Sequence, residues 1–99
     1  MTFIINGMKY ETDKMEEIAN VAKWYPTTNA LTRAIYGNQN VGHDYECTLW
    51  KSKKGRWLLT HVEDYRNKGE AIEEDEAKDL LMKQRPEKYE ELFEEIPEA

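Results

Sequence analysis

The sequence has few of the residues on which recognisable chemistry usually depends. It holds one cysteine and two histidines among 99 residues, and the histidines have no His-x-x-x-His or Cys-x-x-Cys spacing. One cysteine excludes an internal disulfide, and such isolated histidines do not predict a zinc site. A glycine-rich phosphate loop and a G-x-S-x-G nucleophile motif are also missing. These absences argue against an enzyme, a metal centre and a bound cofactor.

Long apolar runs are missing as well. No stretch approaches the ~18 apolar residues that a membrane helix needs, so we expect no membrane segment. Residues 1–7 lack the basic start and the apolar run of a signal peptide. The single thiol, Cys47, falls in a predicted strand, where a cysteine is usually a small core residue. Together these features predict a cytoplasmic protein.

What the sequence does contain is typical of one small folded domain spanning residues 1–99. Hydrophobic residues make up 39% and aromatic residues 11% of the chain, which is enough for a packed core and argues against disorder. A chain of this size buries only somewhat over ~60% of its unfolded surface. We therefore expect a modest core and no deep, enclosed substrate cavity.

Negative charge is concentrated at one end of the chain. Residues 70–99 contain twelve acidic and four basic residues, a balance of −8, whereas residues 1–69 contain eight acidic and ten basic residues, a balance of +2. The sum is the net charge of −6. Such an asymmetry is typical of a protein that presents an anionic face to a basic partner.

The first half of the chain predicts a hairpin, a helix and a less regular segment. Asn6-Gly7 between two β-prone runs favours a type I′ turn. Apolar residues then recur at helical intervals, which predicts a helix from residue 12 or 13 to Tyr25, ended by Pro26. A short helix is predicted over 27–35 and a polar loop over 38–44.

The second half predicts two strands and two helices. The strands cover 45–51 and 56–62, joined by a polar turn at 52–55. A charged loop over 63–69, a short strand at 71–72 and a helix over 73–84 follow. Pro86 begins a final helix that Pro97 ends. Its apolar stripe, with i, i+3, i+4, i+7 spacing, consists of Tyr89, Leu92, Phe93 and Ile96.

This order predicts an α+β fold: a small antiparallel β-sheet packed by helices, with an acidic helical hairpin at the carboxyl end. Acids three or four positions apart on a helix stand roughly 5–6 Å from each other. The array resembles the phosphate line of a nucleic acid and suits a Lys/Arg channel. The candidate partner-binding residues are Glu73, Glu74, Asp75, Glu76, Asp79, Glu87, Glu90, Glu91, Glu94 and Glu95.

Two other interpretations of the charges remain open. A solvated surface that keeps the protein soluble is the more common explanation of an acidic helix face. A smaller basic patch, with Lys51, Lys53, Lys54 and Arg56 near two tryptophans, has the composition of a nucleic-acid site. A lysine-rich turn at a sheet edge also prevents aggregation. Because the net charge is negative, we expect no direct contact with nucleic acid.

Three parts of the sequence resemble a group of small acidic accessory proteins of bacterial phages, plasmids and conjugative elements. They are residues 4–12, the hairpin at 47–59, and the acidic segments 73–77 and 87–93. The hairpin, C-T-L-W-K-S-K-K-G-R-W-L-L, is similar to the group's T-L-Y-x-T-K-K-G-x-Y/W-F-L pattern. The resemblance implies an accessory protein of a mobile element, and proteins of this kind include anti-CRISPR and anti-restriction inhibitors.

The hypothesis that follows is a non-enzymatic inhibitor of a bacterial defence nuclease, most concretely an anti-CRISPR protein. Its acidic surface would block the nucleic-acid groove of a Cas effector in the host cytoplasm, and Trp50 and Trp57 would serve as core residues or interface anchors. We expect a monomer or a weak dimer. The alternative is a small scaffold or regulatory module of a mobile element that dimerises through an exposed strand edge and has no inhibitory role.

Overall fold

The fold consists of a β-hairpin, a four-stranded antiparallel sheet and two helices. The computed structural model describes residues 1–26 and 42–99. The elements in order are β1 (Thr2–Ile5), β2 (Met8–Glu11), a 3₁₀ turn (Thr12–Lys14), β3 (Glu16–Pro26), β4 (Gly42–Lys51), β5 (Trp57–Glu63), β6 (Arg66–Ile72), α1 (Glu74–Gln84) and α2 (Pro86–Leu92). The sheet has the order β3-β4-β5-β6, and β1 pairs with β2. The predicted α+β class, with a helical hairpin at the end, is confirmed.

Two tight turns form the β1–β2 hairpin and the β5–β6 hairpin. Asn6 and Gly7 have φ values of 51° and 75°, as the predicted type I′ turn requires. Asp64 and Tyr65, with φ values of 50° and 62°, turn the chain between β5 and β6 in the same way. The prediction of a charged loop over 63–69 was therefore wrong. Two of its four charged residues, Arg66 and Lys68, belong to β6, an edge strand, where charge discourages pairing with other chains.

The helix predicted from residue 12 or 13 to Tyr25 was also wrong, because most of this segment is β3. A bulge between Glu17 and Ala19 inserts one residue into the strand. The buried positions Ile18 and Val21 are therefore three apart instead of two, which imitates a helical period. Beyond the bulge, β3 pairs with β4 as far as Pro26, and the side chains alternate as in any strand.

The short helix predicted over 27–35 lies outside the described residues, as does most of the loop predicted over 38–44. The last three residues of that loop, 42–44, belong to β4, which starts at Gly42. The ring of Trp24 packs there: a Cβ added to Gly42 would approach its Cζ2 atom to 2.5 Å. Glycine at this position lets an exposed tryptophan lie flat on the neighbouring strand.

The main core lies between one face of the sheet and the helices. Alternation along the strands places five side chains on this face, each no more than 2% exposed: Val21, Cys47, Leu49, Trp57 and Leu59. Ile18 at the β3 bulge and three helical side chains complete the cluster: Ala77, Leu81 and Tyr89. The expectation that Cys47 is a core residue is confirmed, and burial raises the pKa of its thiol.

The β1–β2 hairpin packs near the opposite face of the sheet. The ring of Phe3 lies directly on Gly69 of β6, because a Cβ there would approach its Cδ1 atom to 2.6 Å. This face carries Leu58, which is fully buried, and Thr60, whose hydroxyl accepts a 2.9 Å hydrogen bond from the Trp50 indole N–H. Both faces of β5 are therefore covered, which explains why its sequence has no polar face.

The final helix is shorter than the sequence predicts. It ends at Leu92, not at Pro97, and Phe93 has left helical geometry with φ −119° and ψ −89°. Instead of a further helical turn, the Ile96 N–H donates a 3.0 Å hydrogen bond to the Glu90 carboxylate. Phe93 and Ile96 nevertheless pack against the core. The apolar stripe was correctly identified, but its last two members reach the core from beyond the end of the helix.

The first prediction concerns the helix–sheet contact. Replacement of the fully buried Leu81 by alanine should lower the free energy of unfolding by about 2–5 kcal/mol, because it leaves a cavity between α1 and the sheet. The neighbouring Met82 is 42% exposed, and its replacement by alanine should change the stability by about 0.5 kcal/mol or less. Urea denaturation followed by tryptophan fluorescence measures both. Similar losses in the two variants would contradict this packing.

Candidate functional site

The candidate acidic residues lie on the outer side of α1 and α2 and in the segment that follows. Nine of the ten are exposed, and Glu76 is half-buried. Glu73 to Glu76 crowd the amino end of α1, where the helix dipole favours negative charge. Glu94 and Glu95 lie beyond the end of α2, so the predicted continuous helical row of carboxylates is wrong at these two positions. Both remain exposed beside the helix.

Three of these carboxylates form ion pairs with lysines on the same segment. Glu74 lies 3.9 Å from Lys78, Asp79 lies 3.1 Å from Lys83, and Glu91 lies 3.4 Å from Lys88. All three carboxylates are more than half exposed, and such surface pairs contribute only about 0–1 kcal/mol each. An incoming basic side chain would displace these lysines at little cost.

The remaining exposed candidates have no ion-pair partner among the described residues, and Glu90 is occupied by the Ile96 N–H. These carboxylates are Glu73, Asp75, Glu87, Glu94 and Glu95. The first two begin α1, and the last three lie on α2 and the chain after it. α1 and α2 pack against each other with a single residue between them, so both groups belong to one surface. We call this surface the acidic hairpin.

Glu76 has a different role, which the sequence did not reveal. Its carboxylate accepts a hydrogen bond from Lys23 of β3 at 2.6 Å, and the same lysine donates to Glu70 of β6 at 2.7 Å. Glu70 also accepts a 2.7 Å hydrogen bond from the Tyr25 hydroxyl. Lys23 therefore ties a sheet edge strand to both β6 and α1. The distances indicate that Glu76 is a structural residue more than a contact residue.

The pKa values in this network follow from burial and hydrogen bonding. Burial acts to raise the pKa of Glu70, but hydrogen bonds from Lys23 and Tyr25 outweigh it, so the pKa lies below its usual value. Burial acts to lower the pKa of Lys23, but the two carboxylates raise it overall. Burial and the bond to Glu70 raise the pKa of Tyr25. The network therefore favours the ionised forms of Glu70 and Lys23 and the protonated form of the Tyr25 phenol.

An aromatic cluster adjoins the network at the same end of the sheet. The His61 ring stacks on Tyr25 with centroids 4.4 Å apart and lies 4.8 Å from Tyr45. Burial lowers the pKa of His61, and its Nδ1 atom has no hydrogen-bond partner among the described residues. Stacking, not a carboxylate, holds the ring, so the arrangement differs from a catalytic histidine pair. His61 is therefore a packing residue.

The second histidine and two tryptophans lie elsewhere on the sheet. His43 and Asp44 are neighbours on β4, so their side chains point to opposite faces of the sheet and do not form an acid–base pair. Trp57 is 2% exposed and Trp50 is bonded to Thr60. Trp57 is thus a core residue, whereas Trp50 is half-buried and held by this hydrogen bond.

One edge of the sheet is closed by a side chain from α1. The Gln84 amide pairs with the backbone of Ala22 on β3, accepting its N–H at 2.7 Å and donating to its carbonyl at 2.8 Å. The amide thereby occupies the position of a neighbouring strand. This contact opposes pairing of β3 with a second chain around Ala22. It bears on only one edge of the sheet, since β6 forms the other edge.

Three further findings bear on the class of function. Within residues 1–26 and 42–99, no group of three or more His, Cys, Asp or Glu side chains is arranged to hold a metal ion. No helix in this part of the chain has the length and apolarity to span a membrane. Comparisons with protein families, with characterised proteins and with solved structures give no match to this chain.

The second prediction concerns the Lys23–Glu70 pair. Since the folded pKa of Glu70 lies below its ordinary value of 4.5, its stabilising charge is present above that pH and is lost as the pH falls through the folded value. Glu70→Gln should lower the melting temperature by up to about 5 °C at pH 7. The difference should shrink as the pH falls through the lowered pKa of Glu70, because the wild-type carboxyl then becomes protonated.

Thermal unfolding of both proteins between pH 3 and pH 7 measures this effect. Glu46→Gln, which removes an exposed carboxylate on β4, is the control and should leave the melting temperature unchanged at each pH. If the difference between wild type and Glu70→Gln were constant across the range, the charge of Glu70 would not be what stabilises the network.

Proposed function

We propose that this protein is a non-enzymatic inhibitor that binds a basic nucleic-acid groove of a bacterial defence nuclease through the acidic hairpin. A Cas effector is the most concrete partner, and the protein would then act as an anti-CRISPR protein in the bacterial cytoplasm. The observation that carries the proposal is the placement of nine exposed carboxylates on one packed pair of helices and its extension.

The physical argument rests on competition for basic side chains. Nucleic acids bind proteins largely through phosphate contacts with Lys and Arg, and each contact releases counterions. Closely spaced carboxylates engage the same side chains, and the helices fix in register those that lie on α1 and α2. Five of the exposed carboxylates have no ion-pair partner among the described residues. These carboxylates can bind a basic groove without first breaking an ion pair within the protein.

The structure of the core supports a docking role for this surface. The inner sides of α1 and α2 are occupied by Ala77, Leu81 and Tyr89, which pack against the sheet. The outer sides are thus held rigidly, and rigid surfaces lose little conformational entropy on binding. The resemblance to accessory proteins of mobile elements favours a host defence nuclease over other proteins with basic grooves.

The third prediction tests the acidic hairpin by charge reversal. The variant Glu87→Lys/Glu91→Lys/Glu94→Lys/Glu95→Lys should lose at least about 90% of the inhibition, since attraction becomes repulsion at four positions. Glu90 is left unchanged because it binds the Ile96 N–H. The measurement is DNA cleavage by a panel of purified Cas effectors with guide RNA, at increasing concentrations of the protein.

A matched control changes the charge equally at exposed acids of the sheet: Glu16→Lys/Glu17→Lys/Asp44→Lys/Glu46→Lys. This variant should inhibit as well as the wild type, and circular dichroism should give folded spectra for both.

Raising the salt from about 0.1 M to 1 M, which shortens the Debye length from ~10 Å to ~3 Å, should weaken inhibition at least tenfold. Cleavage unaffected across the panel, or equal inhibition by the two variants, would refute the proposal.

A further inference from the structure

A second charged surface lies in a groove between the first hairpin and the β4–β5 turn. The groove has a volume of about 640 Å³, within the range of ~300–1,000 Å³ that is typical of ligand sites. Two segments that are more than thirty residues apart in the sequence form its walls, residues 7–15 and residues 52–56. Its lining contains five cationic side chains and one carboxylate: Lys9, Lys14, Lys53, Lys54, Arg56 and Glu11.

Glu11 organises one wall of the groove. Its carboxylate binds Lys9 at 2.8 Å and Lys14 at 2.9 Å, and these two bonds lower its pKa to about 2. Both lysines are held at the groove while their side chains remain 63% and 77% exposed. On the other wall, Lys53 and Lys54 have no ion-pair partner among the described residues. The groove therefore presents positive charge from both sides.

The apolar residues of the groove decide what kind of anion it suits. They include Met8, Tyr10 and Met15, and methionine is a flexible, polarisable residue that adapts to apolar partners. Tyr10 is only 7% exposed, so it offers no open ring face on which a base could stack. The apolar and cationic side chains of the lining together complement a ligand that carries both carboxylates and apolar side chains.

We propose that this groove binds an acidic peptide segment with apolar side chains, supplied by a partner protein. Its carboxylates would pair with Lys53 and Lys54 on one side and with Lys9 and Lys14 on the other. Its apolar side chains would contact the two methionines. This interaction is separate from the acidic hairpin and does not depend on the function proposed for it.

The fourth prediction uses a fluorescein-labelled peptide with the sequence of residues 87–96, whose five glutamates and one lysine give a charge of −4. In about 50 mM salt it should bind the full chain with a Kd below about 100 µM. Lys53→Gln/Lys54→Gln should weaken binding about tenfold, because two charge contacts are lost. Fluorescence anisotropy measures the Kd. A peptide in which the four apolar residues are replaced by serine should bind at least fivefold more weakly.

The matched control is Arg66→Gln/Lys68→Gln, which removes two exposed cations from β6 and should leave binding unchanged. Equal weakening in both variants, or no binding to the wild type, would overturn the proposal. Tighter binding of a ten-nucleotide oligothymidine, lost in Lys53→Gln/Lys54→Gln, would assign the groove to phosphate backbones instead. Self-association in sedimentation, lost in that same variant, would assign it to a second copy of the chain; either result overturns it.

Discussion

The contact between α1 and the sheet determines how the rest of the molecule is arranged. Ala77 and Leu81 are fully buried one helical turn apart, over Cys47, Leu49 and Leu59, which are at most 1% exposed. Full burial of one such leucine stabilises the fold by roughly 1.5–3 kcal/mol, a large share of the stability of a small domain. Because this contact fixes which side of α1 faces inward, it also fixes which side carries the acids. The charged surface is a consequence of the core.

The parts of the fold that follow from local rules could be predicted from the sequence. Asn6-Gly7 specifies its turn through positive φ, and the helix over 73–84 begins and ends within one residue of the observed α1. Strand β3 could not be predicted in this way. Its bulge shifts the buried positions Ile18 and Val21 to helical spacing, and only the pairing with β4 makes the segment extended. β6 was missed because its charges are tolerated at a sheet edge, a property of position and not of composition.

The candidate site was predictable to a similar extent. The exposure of most acids follows from the apolar stripe, which leaves the other positions of the helix for solvent. The exception is Glu76, which Lys23 binds from a strand that the sequence did not reveal. Nor could the sequence bring Lys9 and Lys14 next to Lys53, since that depends on how the first hairpin folds back towards the β4–β5 turn. Whether a charged side chain has an ion-pair partner depends on which distant segments the fold brings together, and residue type alone does not reveal it.

The two charged surfaces are compatible because each is stabilised in a different way. The carboxylates of the acidic hairpin repel one another by roughly 0.2–0.5 kcal/mol per i,i+4 pair, which the helix–sheet core offsets several times over. The lysines of the groove are less crowded, since Glu11 stands between two of them. Arg56 lines this groove and also a smaller hollow of about 370 Å³ that reaches Glu73 and Glu74 at the start of α1. The surfaces therefore approach each other at that hollow, and a basic partner that covers the start of α1 would come close to the groove. Occupancy of one surface would then alter the electrostatic potential at the other.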